Sequence, residues 1–364
     1  MKLLIVYNNL KIGGVQVKII DIINFINHQY PKIKITLLLR QKTGPLLKQI
    51  PKHITIFSPN INRHSYKLFF FPFYIALKLT QIKPNKILTF MDYSSTSTLI
   101  AQKIVFWQKK PLIISEDTST IQNIQSQKTK FLRLLLIKLL YVSAKKILVM
   151  SKTHQKHLTK FINISPNKIV VTKNWLPIIF SQKINNKKQV RKTNHILFVG
   201  RLEPAKNLTQ FIKIIKTVTR QIPNLKVKIV GNGSQLKTLK KLSKQLQLQN
   251  HIKFISETTS PQKYYLQSSL FLLSSNYEGF PLTILEATHT HCLPIVPNLK
   301  EITSYFNKYK KYLIFNSPKQ ATQQIYYLLT HPKLRQKLTN HYANQTNKEQ
   351  FVNLHNTVKH IIFA

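Results

Sequence analysis

Acidic side chains are scarce in this sequence. Ten Asp and Glu residues stand against 56 Lys and Arg residues in a chain of 364, which gives a formal net charge of +46. The excess is no basic tail, because 28 of the basic residues precede residue 181 and 28 follow residue 180. Such a chain favours anionic partners, namely nucleotide phosphates, an acidic membrane surface or nucleic acid.

Cysteine and long apolar runs are also lacking. The single cysteine, Cys292, excludes an internal disulfide and agrees with a reducing compartment. The first apolar run, LLIVY, is too short for a signal peptide. Residues 68–77 and 134–140 are the most apolar stretches, and both are too short and too interrupted to span a bilayer. We expect a cytoplasmic protein, peripheral at most on the inner face of the membrane.

Length and hydrophobic pattern predict two α/β domains. The chain is long for one core, and its 43% apolar residues suffice for two. Alternating strand and helix patterns are typical of a doubly wound parallel sheet, with strands near 33–39, 54–57, 86–90, 111–115 and 146–150. We place an N-terminal Rossmann-like domain at 1–180, a second at 181–345 and a returning C-terminal helix at 346–364. A polar segment after residue 180 is the predicted linker.

The most informative motif lies at residues 270–294, LFLLSSNYEGFPLTILEATHTHCLP. A buried strand passes through a polar turn into a helix, and Glu278 and Glu286 flank the join. Gly279 permits close backbone approach, and Pro281 favours the start of a helix. Open α/β sheets bind ligands at this edge, where both carboxylates can accept hydrogen bonds from sugar hydroxyls. The alternative is that Glu278 complements the helix dipole and Glu286 lies on a solvated face.

Another strand end carries a phosphate-binding pattern. The segment HILFVGRLEPAKN puts Gly200, Arg201 and Lys206 between a strand and a helix. A guanidinium fork, an ammonium group and helix N–H groups can together hold a diphosphate. The following strand ends in a glycine-rich turn with Gly231 and Gly233, which alone would be weak evidence.

A Gly-Gly turn follows the first strand, in the segment NNLKIGGVQ. Gly13 and Gly14 begin a helix there, and the free N–H groups of its first turn form a potential anion site. A lone Gly-Gly pair is more often a plain tight turn.

These motifs, in this order, resemble those of the family 4 glycosyltransferases, retaining enzymes of GT-B fold with two Rossmann-like domains facing a cleft. EGFPLTILEA is similar to the family's E-x7-E signature, and GRL followed by KN to its donor-phosphate motif. The resemblance implies catalytic roles for Arg201, Lys206 and Glu278. It implies donor binding by Gly13, Gly14, Gln16, Gly200, Gly231, Gly233, Gly279, Phe280, Pro281, Leu282 and Glu286.

The resemblance also implies a reaction. A hexose or N-acetylhexosamine would pass from a nucleotide diphosphate, with a lean to UDP, to a saccharide or lipid-linked saccharide in lipopolysaccharide or capsule biosynthesis. Arg201 and Lys206 would stabilise the departing diphosphate, Glu286 would hold the ribose and Glu278 the transferred sugar. The chain has no Asp-x-Asp motif, and its 13 His residues are scattered. We therefore expect neither a metal nor another cofactor.

The acceptor side is less defined. Glu116 and Asp117 follow a strand at a place where many relatives carry a His, and they serve either the acceptor or a cap or ion pair. Asn174 in the interdomain turn is a further weak candidate. Two other functions stay open, a basic nucleic-acid-binding protein and a GT-B protein without transferase activity. We expect no nucleic acid, because the aromatic residues lie in apolar runs instead of alternating with basic ones.

An anionic membrane surface is the other expected partner. Residues 64–83 combine basic side chains with the aromatic run FFFPFY. Because Pro72 would break a buried helix in its middle, a bent segment in the headgroup layer is one interpretation, and a core helix is the alternative.

Overall fold

The computed structural model describes residues 1–61, 69–117, 130–181, 194–306 and 308–363, without the side chains of 181 and 349–351. The chain forms two compact units. The first comprises Met1–Asn174 together with Val352–Ala364, and the second comprises Trp175–Phe351. The predicted linker lies largely within residues 182–193, outside the described residues.

Unit 1 contains a seven-stranded parallel sheet in the order β3-β2-β1-β4-β5-β6-β7. The strands are β1 Lys2–Tyr7, β2 Lys34–Leu39, β3 Thr55–Phe57, β4 Lys86–Phe90, β5 Leu112–Glu116, β6 Lys146–Val149 and β7 Ile169–Val171. Each predicted strand of this unit is present within two residues of its expected bounds. One difference affects a predicted site residue. Strand β5 continues through Glu116, so this side chain is buried in the core instead of lying in the following loop.

The helices of unit 1 are α1 Gly14–Gln29, α2 Phe71–Ile82, α3 Met91–Ile104, α4 Lys130–Leu140 and α5 Lys152–Ile162. Helix α3 packs on β1, β4 and β5 and lies between α2 and α4. Ser151 caps α5, as expected, by accepting a hydrogen bond from the His154 N–H at 3.0 Å.

Pro72 does not break a helix. It stands in the first turn of α2, where the missing N–H would have no intrahelical partner in any case. Helix α2 therefore begins at the aromatic run and packs Phe71 and Ile75 into the core. The expectation of a bend at Pro72 is wrong, and residues 64–68 of that predicted segment lie outside the described residues.

Unit 2 contains a six-stranded parallel sheet in the order β10-β9-β8-β11-β12-β13. The strands are β8 His195–Val199, β9 Lys226–Val230, β10 Ile252–Ile255, β11 Leu270–Leu272, β12 Leu293–Pro297 and β13 Ile314–Phe315. The helices are α6 Ile178–Ser181, α7 Leu208–Gln221, α8 Leu236–Gln245, α9 Gln262–Leu266, α10 Leu282–His289, α11 Lys300–Thr303, α12 Lys310–Leu313, α13 Pro318–Thr330 and α14 Pro332–Ile362. The prediction of two doubly wound parallel α/β sheets is confirmed.

The last helix, α14, crosses from one unit to the other. Its final residues belong to unit 1, where Phe25 stacks edge-on against His355 at 6.0 Å and Lys86 donates a hydrogen bond to the Ile362 carbonyl at 2.6 Å. The boundary between the units falls after Asn174. Among the described residues, no helix is both long and apolar enough to cross a membrane.

Candidate active site

The motif residues of unit 2 meet at one edge of its sheet. Strand β8 has β9 on one side and β11 on the other, so the chain direction across the sheet reverses between β8 and β11. Ligands of open parallel sheets bind at such a switch point, outside the carboxyl ends of the strands. The loops that follow these two strands are residues 200–207 and 273–281, and both carry predicted site residues.

The glycine-rich turn packs directly on the loop after β8. A Cβ atom on Gly231 would lie 1.9 Å from the Gly200 carbonyl oxygen, and one on Gly233 would lie 2.5 Å from the Leu202 carbonyl oxygen. Neither backbone oxygen can yield as a flexible side chain could, so both positions need glycine. Gly231 also has a φ of +150°, which disfavours other residues. These two glycines allow the two loops to pack closely against each other.

Backbone hydrogen bonds and one carboxylate fix the same junction. Leu202 donates its N–H to the Asn232 carbonyl at 2.9 Å, and its own carbonyl accepts the Gln235 N–H at 3.0 Å. Glu203 accepts two hydrogen bonds from Ser234, one from its N–H at 3.1 Å and one from its hydroxyl at 2.6 Å. The loop that carries Arg201 is thus fixed to the glycine-rich turn by hydrogen bonds of Leu202 and Glu203.

Lys206 and Glu278 form an ion pair across the switch point. The Lys206 Nζ lies 2.5 Å from Glu278 Oε1, and the two side chains are 19% and 11% exposed. The hydroxyl of Ser275 donates to the same carboxylate oxygen at 2.6 Å. The structure therefore places a cation and an anion from two separate predicted motifs at one point, each with hydrogen-bonding capacity for a further group.

The two loops are joined again just beneath this pair. Ser274 donates its hydroxyl to the Lys206 carbonyl at 2.9 Å. Asn207, in a left-handed conformation with φ of 48°, donates its side-chain amide to the Asn276 side chain at 2.9 Å. Asn276 in turn donates its N–H to the Ala205 carbonyl at 2.9 Å. Lys206 is therefore positioned by the backbone on both sides of it.

Glu286 lies in α10 and is almost fully buried. Its Oε2 accepts a hydrogen bond at 2.8 Å from the hydroxyl of Tyr265 in α9, a residue with no exposed surface. Burial, the neighbouring carboxylate and this bond raise the pKa of Tyr265 well above its usual value, so the phenol stays a donor. A solvated face for Glu286, the alternative left open by the sequence, is wrong.

The start of α10 completes this edge. Pro281 precedes the helix, and among the described residues no side chain caps its first turn. The Phe280 ring packs on Tyr305 with centroids 5.5 Å apart, and Gly279 is buried. The first-turn N–H groups and the helix dipole favour an anion here. Leu282 begins the helix with its side chain buried.

Arg201 differs from the other predicted side chains. It follows Gly200 immediately after β8 and is exposed to solvent. It stands five residues before Lys206 in the same loop, which follows β8 at the edge that holds Glu278. An exposed guanidinium has five N–H donors in a planar fork that fits phosphate oxygens.

The remaining predicted donor residues lie in unit 1. Gly13 precedes α1, Gly14 is its first residue, and the Gln16 side chain folds back toward the Gly13 position, since a Cβ there would lie 2.5 Å from Gln16 Oε1. Among the described residues, no side chain caps this helix. The anion site expected from the sequence at these first-turn N–H groups stays a prediction.

The acceptor-side candidates are engaged in bonds within unit 1. Glu116 has no exposed surface and accepts a short hydrogen bond from the Tyr141 hydroxyl, while Asp117 forms a short ion pair with the buried Lys18. Asn174 is buried and accepts a hydrogen bond at its backbone carbonyl from Asn353 at 3.0 Å. These contacts correspond to the ion-pair alternative for Asp117 and to a buried core bond for Glu116.

Sequence reasoning missed several partners. Tyr265, Ser275, Ser234 and Lys18 were not singled out, although each contacts a predicted carboxylate or the loop beside one. Ser275 could have been found, because it stands three residues before Glu278 in the same turn. The described residues contain no group of three or more His, Cys, Asp or Glu side chains that could hold a metal ion.

Two parallel α/β sheets of this kind are the fold of the GT-B glycosyltransferases. Residues 180–345 match the family model for glycosyl transferases group 1. The matched residues are a little under half of the chain, so the resemblance seen in the motifs is confirmed as similarity to this family in residues 180–345, and the GT-B fold is confirmed.

Known relatives agree with this assignment. The chain is 25% identical over 273 residues to the amylovoran biosynthesis glycosyltransferase AmsD of Erwinia amylovora, which covers 74% of this chain and 72% of that protein. It is 31% identical over 143 residues to a UDP-Gal:alpha-D-GlcNAc-diphosphoundecaprenol alpha-1,3-galactosyltransferase of Escherichia coli, covering 38% of this chain and 37% of that protein. Alignments with the first curated relatives cover 35 to 72% of their lengths.

A solved structure shares the fold along nearly the whole chain. The Anabaena protein HepE, in complex with UDP and glucose, superposes with a TM-score of 0.76 at 15% identity and covers 99% of this chain and 98% of that one. At this identity the likeness shows the fold alone.

Proposed function

We propose that this chain transfers a hexose or N-acetylhexosamine from UDP to a lipid-linked saccharide, with retention of configuration, during synthesis of a cell-surface polysaccharide. The E. coli relative is named for UDP-galactose and a diphosphoundecaprenol acceptor, and the Erwinia relative for amylovoran biosynthesis. Those names support the donor and acceptor classes. A donor screen would identify the particular sugar.

The Lys206–Glu278 pair is the observation that carries the proposal. It joins the phosphate-type loop after β8 to the carboxylate loop after β11 through a contact of 2.5 Å. A sugar diphosphate has anionic oxygens next to neutral hydroxyls, and so it needs a cation and a carboxylate a few ångströms apart. This pair supplies both at the switch point of the sheet.

In the proposed reaction, the charge that grows on the departing diphosphate is stabilised by Arg201, Lys206 and the first-turn N–H groups of α10. Such fixed cations and dipoles stabilise a transition state because they need no reorganisation when the charge develops. These groups can neutralise the leaving group without a metal ion. Activity that survives exhaustive chelation would agree, and strict dependence on an added divalent ion would contradict this part of the proposal.

Glu278 and Glu286 take different roles. Glu278 is partly exposed and paired with Lys206, so it can exchange bonds with the hydroxyls of the transferred sugar. Glu286 is held by a buried tyrosine at a fixed position, which suits a group bound alike before and during reaction, such as the ribose. We assign Glu278 to the transferred sugar and Glu286 to the ribose.

The proposed place of action is an anionic membrane surface on the cytoplasmic side. Net charge of +46 supports it, because each basic residue near an acidic leaflet contributes about 1 kcal/mol. Salt screens this attraction, since the Debye length falls to about 3 Å at 1 M. Protein that sediments with acidic vesicles at low salt and is largely released at high salt would agree.

The donor screen tests the reaction. Purified protein is incubated with UDP-sugars, with GDP- and ADP-sugars as matched controls, and with an undecaprenyl-type diphosphate saccharide as acceptor. We expect stabilisation against heat by UDP and one UDP-sugar, and a product whose anomeric configuration by NMR equals that of the donor. An inverted product, or transfer only from a donor with another base, would refute the proposal.

A further inference from the structure

The outer face of the helices of unit 1 is apolar where a surface helix is ordinarily polar. Helix α4 shows this most clearly, because Ile137 and Leu140 are buried while an opposite stripe points to solvent. The stripe consists of Phe131, Leu132, Leu135, Leu139 and Val142. Steps of three and four residues place these side chains along one side of the helix. Phe131 is 79% exposed and Leu139 is 57% exposed, so within the described residues these side chains are not packed into the core.

The same kind of surface occurs on α2 and at the end of α3. Phe69, Phe70, Phe73 and Leu77 are all more than half exposed at the start and along the outer side of α2. Phe106 and Trp107 follow α3 directly and are exposed, with rings 5.2 Å apart.

These groups lie on one layer of helices. Helix α3 packs between α2 and α4. Phe71 of α2 stacks on Tyr93 of α3 at 5.9 Å, and Arg133 of α4 forms an ion pair at 2.6 Å with Asp92 of α3, so the three helices begin side by side. The exposed rings and aliphatic side chains therefore belong to α2, to α4 and to the segment after α3, while α3 itself is mostly buried between its two neighbours.

Charge on this layer is of one sign. Lys103, Lys109, Lys130 and Lys138 are exposed along it. Within the described part of α2, α3 and α4, Asp92 is the acidic residue, and it is buried against Arg133. An apolar surface edged by Lys and free of exposed acid is complementary to a bilayer with anionic headgroups, because it offers both an inserting face and counter-charges at its rim.

Unit 2 provides an internal comparison. Its helices α7 and α8 also connect strands of a doubly wound parallel sheet and have one face exposed. They expose Lys213, Thr217 and Arg220 on α7, and Lys237, Lys240 and Lys241 on α8. Strong basic composition alone therefore yields polar helix faces in this chain. The exposed apolar residues of α2 and α4 need a separate cause, and a cluster of large exposed apolar side chains marks an interaction site.

We propose that the exposed apolar faces of α2 and α4, the two helices that flank α3, form a membrane-docking surface that inserts Phe73, Phe131, Leu135 and Leu139 into the interfacial region of an anionic bilayer. The proposal rests on the membrane association proposed above and adds the residues that perform it. If apolar side chains insert into the bilayer, a fraction of the protein should stay bound to vesicles at high salt. Binding by charge alone would leave no bound fraction at high salt.

The test uses full-length protein and sedimentation with vesicles of phosphatidylcholine, with and without 30–40% or so phosphatidylglycerol, a range in which each basic contact is worth about 1 kcal/mol. Leu135→Gln/Leu139→Gln should lower the partition coefficient at 1 M salt about a hundredfold, since burying an aliphatic side chain favours binding roughly tenfold or more. Val352→Gln is the matched control. Val352 is 58% exposed in unit 1, on another helix, and its variant should bind as wild type.

Trp107 reports insertion directly. The chain has two tryptophans, and Trp175 is buried while Trp107 is 63% exposed. On binding, Trp107 emission should shift to the blue and be quenched by lipids brominated near the headgroup. The two-leucine variant should lose both effects, and Lys237→Gln/Lys241→Gln in unit 2 should keep them.

The outcomes separate the surface from the wider proposal. If wild type binds no vesicle, membrane association itself fails. If wild type binds and Leu135→Gln/Leu139→Gln binds equally well, membrane association stands and this surface is wrong. A dimer in solution that becomes monomeric in this variant, with unchanged vesicle binding, would assign the surface to a second copy of the chain.

Discussion

Replacement of Tyr265 by Phe tests how Glu286 is positioned. Tyr265 has no exposed surface, and its hydroxyl donates to Glu286 Oε2 at 2.8 Å. The replacement removes one oxygen and creates almost no cavity, so its effect reports the hydrogen bond. A bond to a charged acceptor contributes about 1.5 to 3 kcal/mol, against about 0.5 to 1.5 kcal/mol for a neutral one. We expect Tyr265→Phe to lower the free energy of unfolding by about 2 kcal/mol.

A second tyrosine in unit 2 provides the control. Tyr342 is also fully buried, and its hydroxyl donates to a neutral acceptor, the Lys308 carbonyl. Tyr342→Phe should therefore cost about 1 kcal/mol in the same chemical denaturation experiment. The two variants differ further in ligand binding. Without the Tyr265 hydroxyl, Glu286 is held less firmly, so UDP affinity measured by calorimetry should fall several-fold in Tyr265→Phe and remain unchanged in Tyr342→Phe. Equal UDP affinities for wild type and Tyr265→Phe would refute the positioning role.

Three further predictions concern other groups of the chain. Arg201→Ala should lower kcat/KM about a hundredfold or more, which corresponds to roughly 3 kcal/mol of transition-state stabilisation. The control Arg220→Ala in α7 should leave kcat/KM unchanged. Wild-type turnover of Arg201→Ala in a working assay would remove Arg201 from the mechanism. Glu286→Gln should weaken UDP binding by calorimetry, and Glu278→Gln should mainly lower kcat with UDP still bound; the opposite pattern would exchange their roles. Burial lowers the pKa of His154 from 6.5 to about 4. Between these pH values the unfolded chain binds a proton at this residue and the folded chain does not. The free energy of unfolding should therefore rise by about 3 kcal/mol from pH 4 to 6.5. His154→Gln should flatten that part of the curve in denaturant titrations, and an unchanged pH dependence would count against the buried neutral state.

The sequence predicted the sheet elements well because parallel strands are buried on both faces. Short apolar runs such as LLIVY in β1 and KVKIV in β9, each followed by a turn, are typical of such strands and too short for a buried helix. The same reasoning failed for α2. A proline within an apolar run suggests a helix breaker, yet at the first turn it begins a helix, and hydropathy does not fix where the first turn lies.

Partners across the fold could not be predicted. Glu286 and Tyr265 stand 21 residues apart on different helices, and the spacing within each helix does not determine which side faces the other. Likewise α4 carries apolar residues on nearly all sides, so periodicity could not separate its buried Ile137 from its exposed Leu139. Both cases depend on packing between elements, which the local pattern leaves open.

The placement of the few acids connects the site with the surface. Among the described residues, several acids are bonded within a unit: Asp92 to Arg133, Glu116 to Tyr141, Asp117 to Lys18, Glu203 to Ser234, Glu278 to Lys206 and Glu286 to Tyr265. Acids used in this way neutralise little of the exposed Lys and Arg. The surface of the molecule is therefore predominantly cationic, while the carboxylates are paired at the candidate site and within the two units.

That distribution has a kinetic consequence. A cationic exterior attracts both an anionic leaflet and a nucleotide diphosphate from a distance, and the attraction weakens steeply as salt rises. Specific contacts at the switch point lie between partly buried groups and are screened less. Salt should therefore slow association with UDP-sugar and with acidic vesicles while it changes kcat much less, because the pair Lys206–Glu278 is only 19% and 11% exposed. A fall of kcat in parallel with the association rate would show that the exterior charge acts in the chemical step as well as in association.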